Sequence, residues 1–417
     1  MAKYIPKSRI VDEILFTHSG GELNITDAFH SFQLEEDLFA DSIKGKFIVM
    51  DASDSFNKVD FDGTETVDVK FASPDQDEIE LTLQVYKTAV TPDPNSGFGK
   101  VIEIFGVTPE HFTQSTIDVN KGYIDPIQNA VQDVFDMLGT DRPLDIHDTS
   151  GVDRFIIPGM TPYEAMVMLQ RRAYSSKFSS SLFTFYESID GFNFHNVEEL
   201  ISKNKKDATT YAYSPSSSLD AKSKNRQFMI EDLKMNASKD IMFRIKSGSY
   251  ANQCKKLDLI NQTIQSGIML VNENFGDFEH LDDDAMSFDS KAMIEKHLST
   301  INSTKWIHET RADPQLSTNF ESLIPARRFY ADSLKGVEMT MTVCGNSDLR
   351  VGQVINLDMM EQSAKTKAKD QEPKISGKYL INRVLHYIDR KEYTSLVSCM
   401  KESYHANVEN PEKNVVA

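Results

Sequence analysis

The sequence predicts an α+β, β-dominated fold spread over several domains. Strand-like runs open and close the chain, and helix start signals are concentrated between them. A length of 417 residues exceeds what one ordinary core organises, so about two to four domains are expected.

Within residues 1–110, the runs 47–50, 66–71, 79–86 and 101–107 are strand candidates. Several alternate apolar and polar residues, the period of a sheet that is wet on one face. Thr91-Pro-Asp-Pro-Asn-Ser-Gly-Phe-Gly99 is dense in turn residues and reads as a loop. Strands at this spacing suggest a small barrel or sandwich.

Helical signals begin past residue 111. Asp125-Pro-Ile-Gln128 reads as a helix start, with Asp125 as N-cap, Pro126 in the first turn and Gln128 reaching back. Ile127, Ala130, Val131, Val134 and Leu138 then form one apolar stripe, which Gly139 terminates. Thr161-Pro-Tyr-Glu164 is a capping box with proline at the first helical position. Met166, Leu169 and Ala173 follow on the inner face, with Arg171 and Arg172 outside. The runs 182–187 and 191–194 read as a hairpin, so this segment is α+β. Stretches rich in Ser and Lys at 202–206 and 214–218 suit an exposed connection. The runs 227–233 and 240–245 are elements of undetermined type. Residues 249–322 are less regular, with an acidic cluster at 277–284 and a helical-looking run at 291–300.

A barrel-like pattern resumes at Gly336-Val-Glu-Met-Thr-Met-Thr-Val-Cys344. Leu349-Arg-Val-Gly-Gln-Val-Ile-Asn-Leu-Asp358, Ile375-Ser-Gly-Lys-Tyr-Leu-Ile-Asn-Arg-Val-Leu-His-Tyr-Ile-Asp389 and the run 393–400 follow. Three β segments in a row argue for one antiparallel barrel or sheet. The chain thus divides into a β domain at 1–110, an α+β domain at 111–205 and a second β domain split between 206–248 and 323–400. Residues 249–322 form an insertion, and 401–417 a polar tail that reads as extended.

The 45 basic and 63 acidic residues give a formal charge of −18. That argues against a general nucleic-acid binder, which needs a basic face, and is compatible with a surface that repels DNA. Cys254, Cys344 and Cys399 are isolated, so buried thiols are expected rather than a zinc site, a redox pair or a disulfide framework. The first ten residues hold no apolar signal-peptide core, and no run of about 18 apolar residues occurs. Cytoplasmic synthesis without a membrane span is expected.

Catalytic patterns fail one by one. His308-Glu-Thr-Arg-Ala312 starts like a zinc-protease helix and lacks the second histidine. Gly97-Phe-Gly-Lys100 lacks the first glycine of a phosphate loop, and no helix follows it, so a hairpin turn is expected. Glu35-Glu-Asp37 offers neighbouring acids, whereas glycoside hydrolysis needs carboxylates facing each other across a sugar; the run reads as a solvated charge cluster. Asp282, Asp283 and Asp284 lack the alternate spacing of a calcium loop. His386 reads as a packed strand residue. No nucleophile elbow occurs, although residues far apart in sequence can still assemble a triad. The expectation is a protein that is not an enzyme, with no catalytic residues, metal or cofactor.

The C-terminal series resembles the central baseplate hub proteins of contractile-tailed phages such as the T-even myophages. The hub segment of VgrG-type spikes is a relative in shape. The resemblance rests on Leu349, Val351, Gly352, Val354, Ile355 and Leu357, then on Ser376, Gly377, Lys378, Tyr379, Leu380, Ile381, Val384 and His386, and finally on Tyr393, Leu396 and Ser403. Phe32-Gln-Leu-Glu-Glu-Asp-Leu-Phe-Ala40 running into Ile43-Lys-Gly-Lys-Phe-Ile-Val49 is similar to the family's first strands. The segment from Pro158 to Ala173, with Phe185-Tyr-Glu187 and Gly191-Phe-Asn-Phe194, is similar to its second domain.

The resemblance implies a homotrimer in which each subunit contributes two tube-protein-like antiparallel β-barrels. Six barrels in a ring would adapt a three-fold spike to a six-fold tail tube and leave a channel for DNA. Implied partners are a spike protein below, a tube-initiating protein above and the end of the tape-measure protein. The location implied is the virion's tail baseplate, without membrane insertion. Gly352, Gly377, Tyr379 and Tyr393 are expected to serve as scaffold turns and strands, and Asp282, Asp283 and Asp284 as a candidate acidic lumen patch that repels DNA. Plain solubility is the competing account of the charge. The alternative function is a tail-associated cell-wall or polysaccharide hydrolase. A carbohydrate-binding adhesin is disfavoured because Trp306, the single tryptophan, suits a core or interface anchor.

Overall fold

The computed structural model describes residues 10–404 other than 53–54, 60, 75, 93–98, 214–227, 238–250, 259–261, 271–277, 283, 286–303, 310–319 and 360–374. The runs expected at 240–245 and 291–300 and the tail beyond 404 lie outside the described residues, as does most of the loop 91–99.

The N-terminal segment folds as seven strands: β1 (Ile10–His18), β2 (Gly21–Asn24), β3 (Phe29–Asp37), β4 (Lys44–Asp51), β5 (Thr66–Ala72), β6 (Ile79–Pro92) and β7 (Lys100–Val107). Their period-2 pattern places apolar side chains on one face. In β6, Ile79, Leu81, Leu83 and Val85 point inward while Glu80 and Thr82 face water. The strands pair antiparallel in the order β3-β4-β7-β6-β5-β1-β2 around a core that includes Phe16, Phe32, Phe47 and Phe71.

The next segment mixes helices and short strands: α1 (Pro109–Ser115), β8 (Val119–Asp125), α2 (Ile127–Asp136), β9 (Leu144–Ile146), β10 (Asp153–Met160), α3 (Pro162–Gln170), β11 (Phe183–Ser188), β12 (Gly191–Asn196) and α4 (Val197–Asn204). The hairpin expected near 182–194 is β11–β12, with β9 parallel to β12. The stripe of α2 packs with Phe155, Leu169, Phe185 and Phe194 into a separate core. The capping box of α3 is present: the Glu164 N–H donates to Thr161 Oγ1, and the Thr161 N–H donates to Glu164 Oε2.

Three local expectations change. Asp125 is drawn into strand pairing with Asp153, so Pro126 takes the N-cap of α2, and Gln128 Oε1 accepts the Thr149 N–H at 2.6 Å instead of capping. The Ser- and Lys-rich residues at 202–204 are not a loop but the end of α4, which Asn196 caps and Ile201 anchors in the core. Arg172 turns partly inward to Asp153, at 2.9 Å.

Buried polar contacts fasten this segment to the first strands. Glu187 Oε2 accepts the Ile43 N–H at 2.9 Å and the Thr108 hydroxyl at 2.6 Å, and Glu187 Oε1 pairs with Arg142. Burial pushes the Glu187 carboxyl up to about 7 against the lowering charge of Arg142.

The remaining elements are β13 (Thr209–Tyr213), β14 (Ile230–Ala237), β15 (Ala251–Asp258), β16 (Thr263–Leu270), β17 (Asp284–Ala285), β18 (Thr304–Glu309), α5 (Phe320–Leu334), β19 (Val337–Cys344), β20 (Val354–Met359), β21 (Gly377–Asp389), β22 (Tyr393–Lys401) and β23 (Ser403–Tyr404). β16, β15 and β18 make a sheet of their own, so His308 and Glu309 lie on a strand rather than on a protease-type helix. β17 and β23 pair with each other as a separate two-stranded sheet, whereas β14, β19, β22 and β21 extend the N-terminal sheet in the order β14-β19-β22-β21-β3 and, with β13 and β20, bring it to thirteen strands. β20 pairs with β21 and with β13. An isolated bridge from Ala212 to Met229, directly before β14, brings β13 back beside β14. The C-terminal strands therefore return on themselves, around a core that includes Met339, Met341, Leu357 and Leu380.

The fold is β-dominated with large antiparallel sheets, as expected. One difference is that the two β halves share a single continuous sheet, joined where β3 pairs with β21. Cys254, Cys344 and Cys399 are buried, and none of them forms a disulfide. No described helix is long and apolar enough to cross a membrane.

Candidate functional site

The seam between the halves is built on β21, a strand long enough to serve both cores. Its first residues, Tyr379, Leu380 and Ile381, lie in the C-terminal core, whereas Ile388 lies in the N-terminal one. From Arg383 to Asp389 it pairs with β3, and from Leu380 to Ile388 with β22. The residues singled out in the sequence sit along this strand or against it. Gly377 opens it with φ +119°, a backbone conformation that residues with a Cβ rarely adopt. The Tyr379 hydroxyl donates to the Ile375 carbonyl at 2.6 Å. The fully buried Tyr393 hydroxyl meets His386 Nδ1 at 2.7 Å. Gly352 has φ +84°; its N–H donates to the Ile381 carbonyl at 2.9 Å and its own carbonyl accepts from Asn204 Nδ2.

Gly377→Val should cost about 1–3 kcal/mol, since a β-branched residue is forced to positive φ in a buried strand. The shift in urea midpoint measures it, and an unchanged midpoint would remove the strained turn from the account.

Arg350, which lies between the signature residues Leu349 and Val351, clamps Asp190 of the β11–β12 turn, with Nε and Nη2 at 2.9 and 3.1 Å from its two carboxylate oxygens. This contact joins the C-terminal strands to the α+β segment. Beneath it lies Glu36, fully buried, with no side-chain hydrogen-bond partner among the described residues and with the backbone of Val351 and Ile189 near its carboxylate. Burial first of all holds its carboxyl up at about 8, with Arg350 pulling down and Asp190 pushing up. The run 35–37 is therefore not a solvated cluster. Alternation turns Glu35 outward to Arg383 and Glu36 inward between Leu34 and Leu38. The Phe32, Leu34, Leu38 spacing carried that signal in the sequence. His386 is likewise buried and pushed down to about 3 by desolvation, so it is a neutral packed residue.

The acidic cluster is divided. Asp282 is only 4% exposed; its N–H donates to Ser403 Oγ, and its Oδ2 accepts the Lys378 N–H at 2.9 Å. Nearby, Lys401 Nζ donates to the Ser376 carbonyl at 2.8 Å, and burial lowers Lys401 to about 8. Asp282 is thus buried within this chain, where it satisfies a backbone donor at the start of β21. Asp283 lies outside the described residues, and the backbone of Asp284 pairs with Tyr404.

One cluster left no local signal because one member, His195, lies 50 residues from Asp145. Asp145, His147 and His195 converge on the β9–β12 pair with their potential ligand atoms within 4.8 Å of one another. Their engagement is structural. His195 sits between Asp145 Oδ2 at 2.9 Å and the Tyr186 hydroxyl at 3.0 Å. His147 Nδ1 faces the Asn196 N–H, and its Nε2 faces Lys203 Nζ. The two imidazoles stack at 4.0 Å with 17° between planes. Rings so nearly parallel cannot both aim in-plane lone pairs at one ion.

No protein-family model matches the sequence, and comparison with curated proteins finds no relative. Solved structures do match. The chain aligns over 94% of its length with 96% of the tail protein from Neisseria meningitidis MC58, at 12% identity and a TM-score of 0.53. It aligns over 94% with 98% of the 43 kDa tail protein of prophage MuSo2 from Shewanella oneidensis, at 10% identity and a TM-score of 0.55. A Francisella PdpA-VgrG complex aligns with a TM-score of 0.44 at 10% identity, over 96% of this chain and 60% of that one, below the level that speaks for a shared fold. The chain thus shares the fold of these two tail proteins.

Proposed function

We propose that this chain is the central hub of a contractile phage-tail baseplate. The observation that carries the reading is the arrangement of two β cores on one sheet, joined along β3 and β21, in a chain with a tail-protein fold. Each half serves as a tube-like barrel domain, with the α+β segment at 111–205 and the insertion at 249–322 set outside the ring. Three copies present six barrels and so adapt a three-fold spike to a six-fold tube, with a channel for DNA between them. Spike, tube-initiating and tape-measure proteins are its neighbours in the virion. Its work lies in assembly rather than chemistry.

Three copies of a chain at −18 carry −54, so the assembly repels the DNA that passes it. Because Asp282 is buried, that field comes from other carboxylates. Sedimentation of the purified protein together with its spike partner should give a trimer, and negative-stain images should show a ring with an axial hole. A stable monomer in the presence of the spike would overturn the hub. Clear cell-wall lysis in a zymogram, lost on replacing one carboxylate, would favour the hydrolase.

A further inference from the structure

We infer that the groove between α3, β11 and α5 is a docking site for an acidic, apolar segment of a partner polypeptide. The groove has a volume of about 640 Å³. Its floor is apolar, with Val167, Leu182, Phe183, Ile324 and Leu334 among its lining, and Phe39 stands 52% exposed at its edge. The turn that carries Phe39 is held from below. Its N–H donates to Asp37 Oδ1 at 2.9 Å, and the preceding Leu38 carbonyl accepts from the Thr184 hydroxyl at 2.7 Å. The phenyl ring is therefore presented by a fixed backbone.

The rim carries the opposite sign from the chain as a whole. Arg171, Arg327, Arg328 and Lys335 line the groove, with Asp41 the single carboxylate among the described lining residues, in a protein of formal charge −18. Arg171, Arg327 and Lys335 make no ion pair among the described residues. Arg327 donates instead to the Arg171 carbonyl at 2.7 Å, which brings two guanidinium-bearing residues together. Burial, and then the charge of Arg171, lowers the Arg327 guanidinium from its usual range. Like charges gathered beside a desolvated apolar floor are relieved by an anionic partner. A peptide suits better than nucleic acid, because the floor accepts aliphatic and aromatic side chains. The proposal stands apart from the trimeric hub and does not require it.

The probe is a fluorescent amphipathic helical peptide with leucines on one face and glutamates on the other. Its control has lysines in place of the glutamates. Fluorescence anisotropy with the full chain should show the glutamate peptide binding at least tenfold more tightly. Arg171→Glu with Lys335→Glu, both exposed, should abolish that preference while the thermal melt stays unchanged. Equal binding of both peptides, or a preference untouched by the double substitution, would overturn the proposal. So would a DNA oligomer that displaces the peptide through the same two side chains, or self-association that the substitutions abolish without any peptide binding. Arg328→Glu, exposed at the same rim, serves as a second variant if the double one unfolds.

Discussion

Gly345→Ala is expected to destabilise the protein by about 3 kcal/mol or more, through a collision with the ring of Tyr393. A Cβ at Gly345 would stand 2.1 Å from Tyr393 Cγ, far inside any tolerated contact. The ring cannot swing aside. Its hydroxyl is bonded to His386 Nδ1, Phe71 meets it edge-on at 5.7 Å, and the surrounding core is closed. The backbone cannot yield readily either, since the Gly345 N–H donates to the Tyr393 carbonyl at 2.9 Å. The glycine is thus needed for close approach rather than for an unusual φ. Urea unfolding measures the effect. Tyr393→Leu in the same background should recover part of the loss, because it removes the obstructing ring, although alone it costs core volume. A loss under about 1 kcal/mol for Gly345→Ala, or no recovery in the double variant, would show that the β19–β22 end adjusts freely.

The strands were largely legible because their alternation is a local signal. β4, β5, β6, β7, β19, β21 and β22 fall where period-2 runs placed them. β1 and the β8–β10 pair escaped. β8 carries Asn120, Lys121 and Gly122 in its middle, and its Ile124 and Ile156 of β10 lie exposed, so neither strand shows an alternation that points to one core. The join of β3 to β21 was not legible, since pairing partners about 350 residues apart leave no mark on spacing. Charged residues misled for a related reason. Glu36, Asp282 and Lys401 read as surface groups by type, yet the fold buries all three. Only the position of Glu36 in the Phe32, Leu34, Leu38 alternation disclosed its inward face. The Arg142–Glu187 clasp and the stacked His147–His195 pair arise from tertiary contacts alone.

The burial of Glu36 makes stability depend on pH in a defined direction. Its carboxyl is held at about 8 in the folded chain, against an ordinary 4.5. The folded state therefore binds the proton more tightly than the unfolded state does. Its contribution is fully retained below pH 4.5, is lost progressively as pH rises to 8, and stays lost above that. The cost accumulates at about 1.4 kcal/mol for each pH unit in the window, so a few kcal/mol separate its ends. Glu36→Gln keeps the shape and cannot ionise. It should match the parent near pH 4.5 and exceed it by a growing margin up to pH 8, beyond which the margin is constant. Taking the difference between the two proteins cancels the other titrating groups, including Asp190 and Arg350 that face this site. Urea midpoints at pH 5 and pH 9 give the comparison. A margin of the same size at both pH values would mean that Glu36 is solvated or paired in the folded protein, and that the seam beneath the Arg350–Asp190 clamp is open to water.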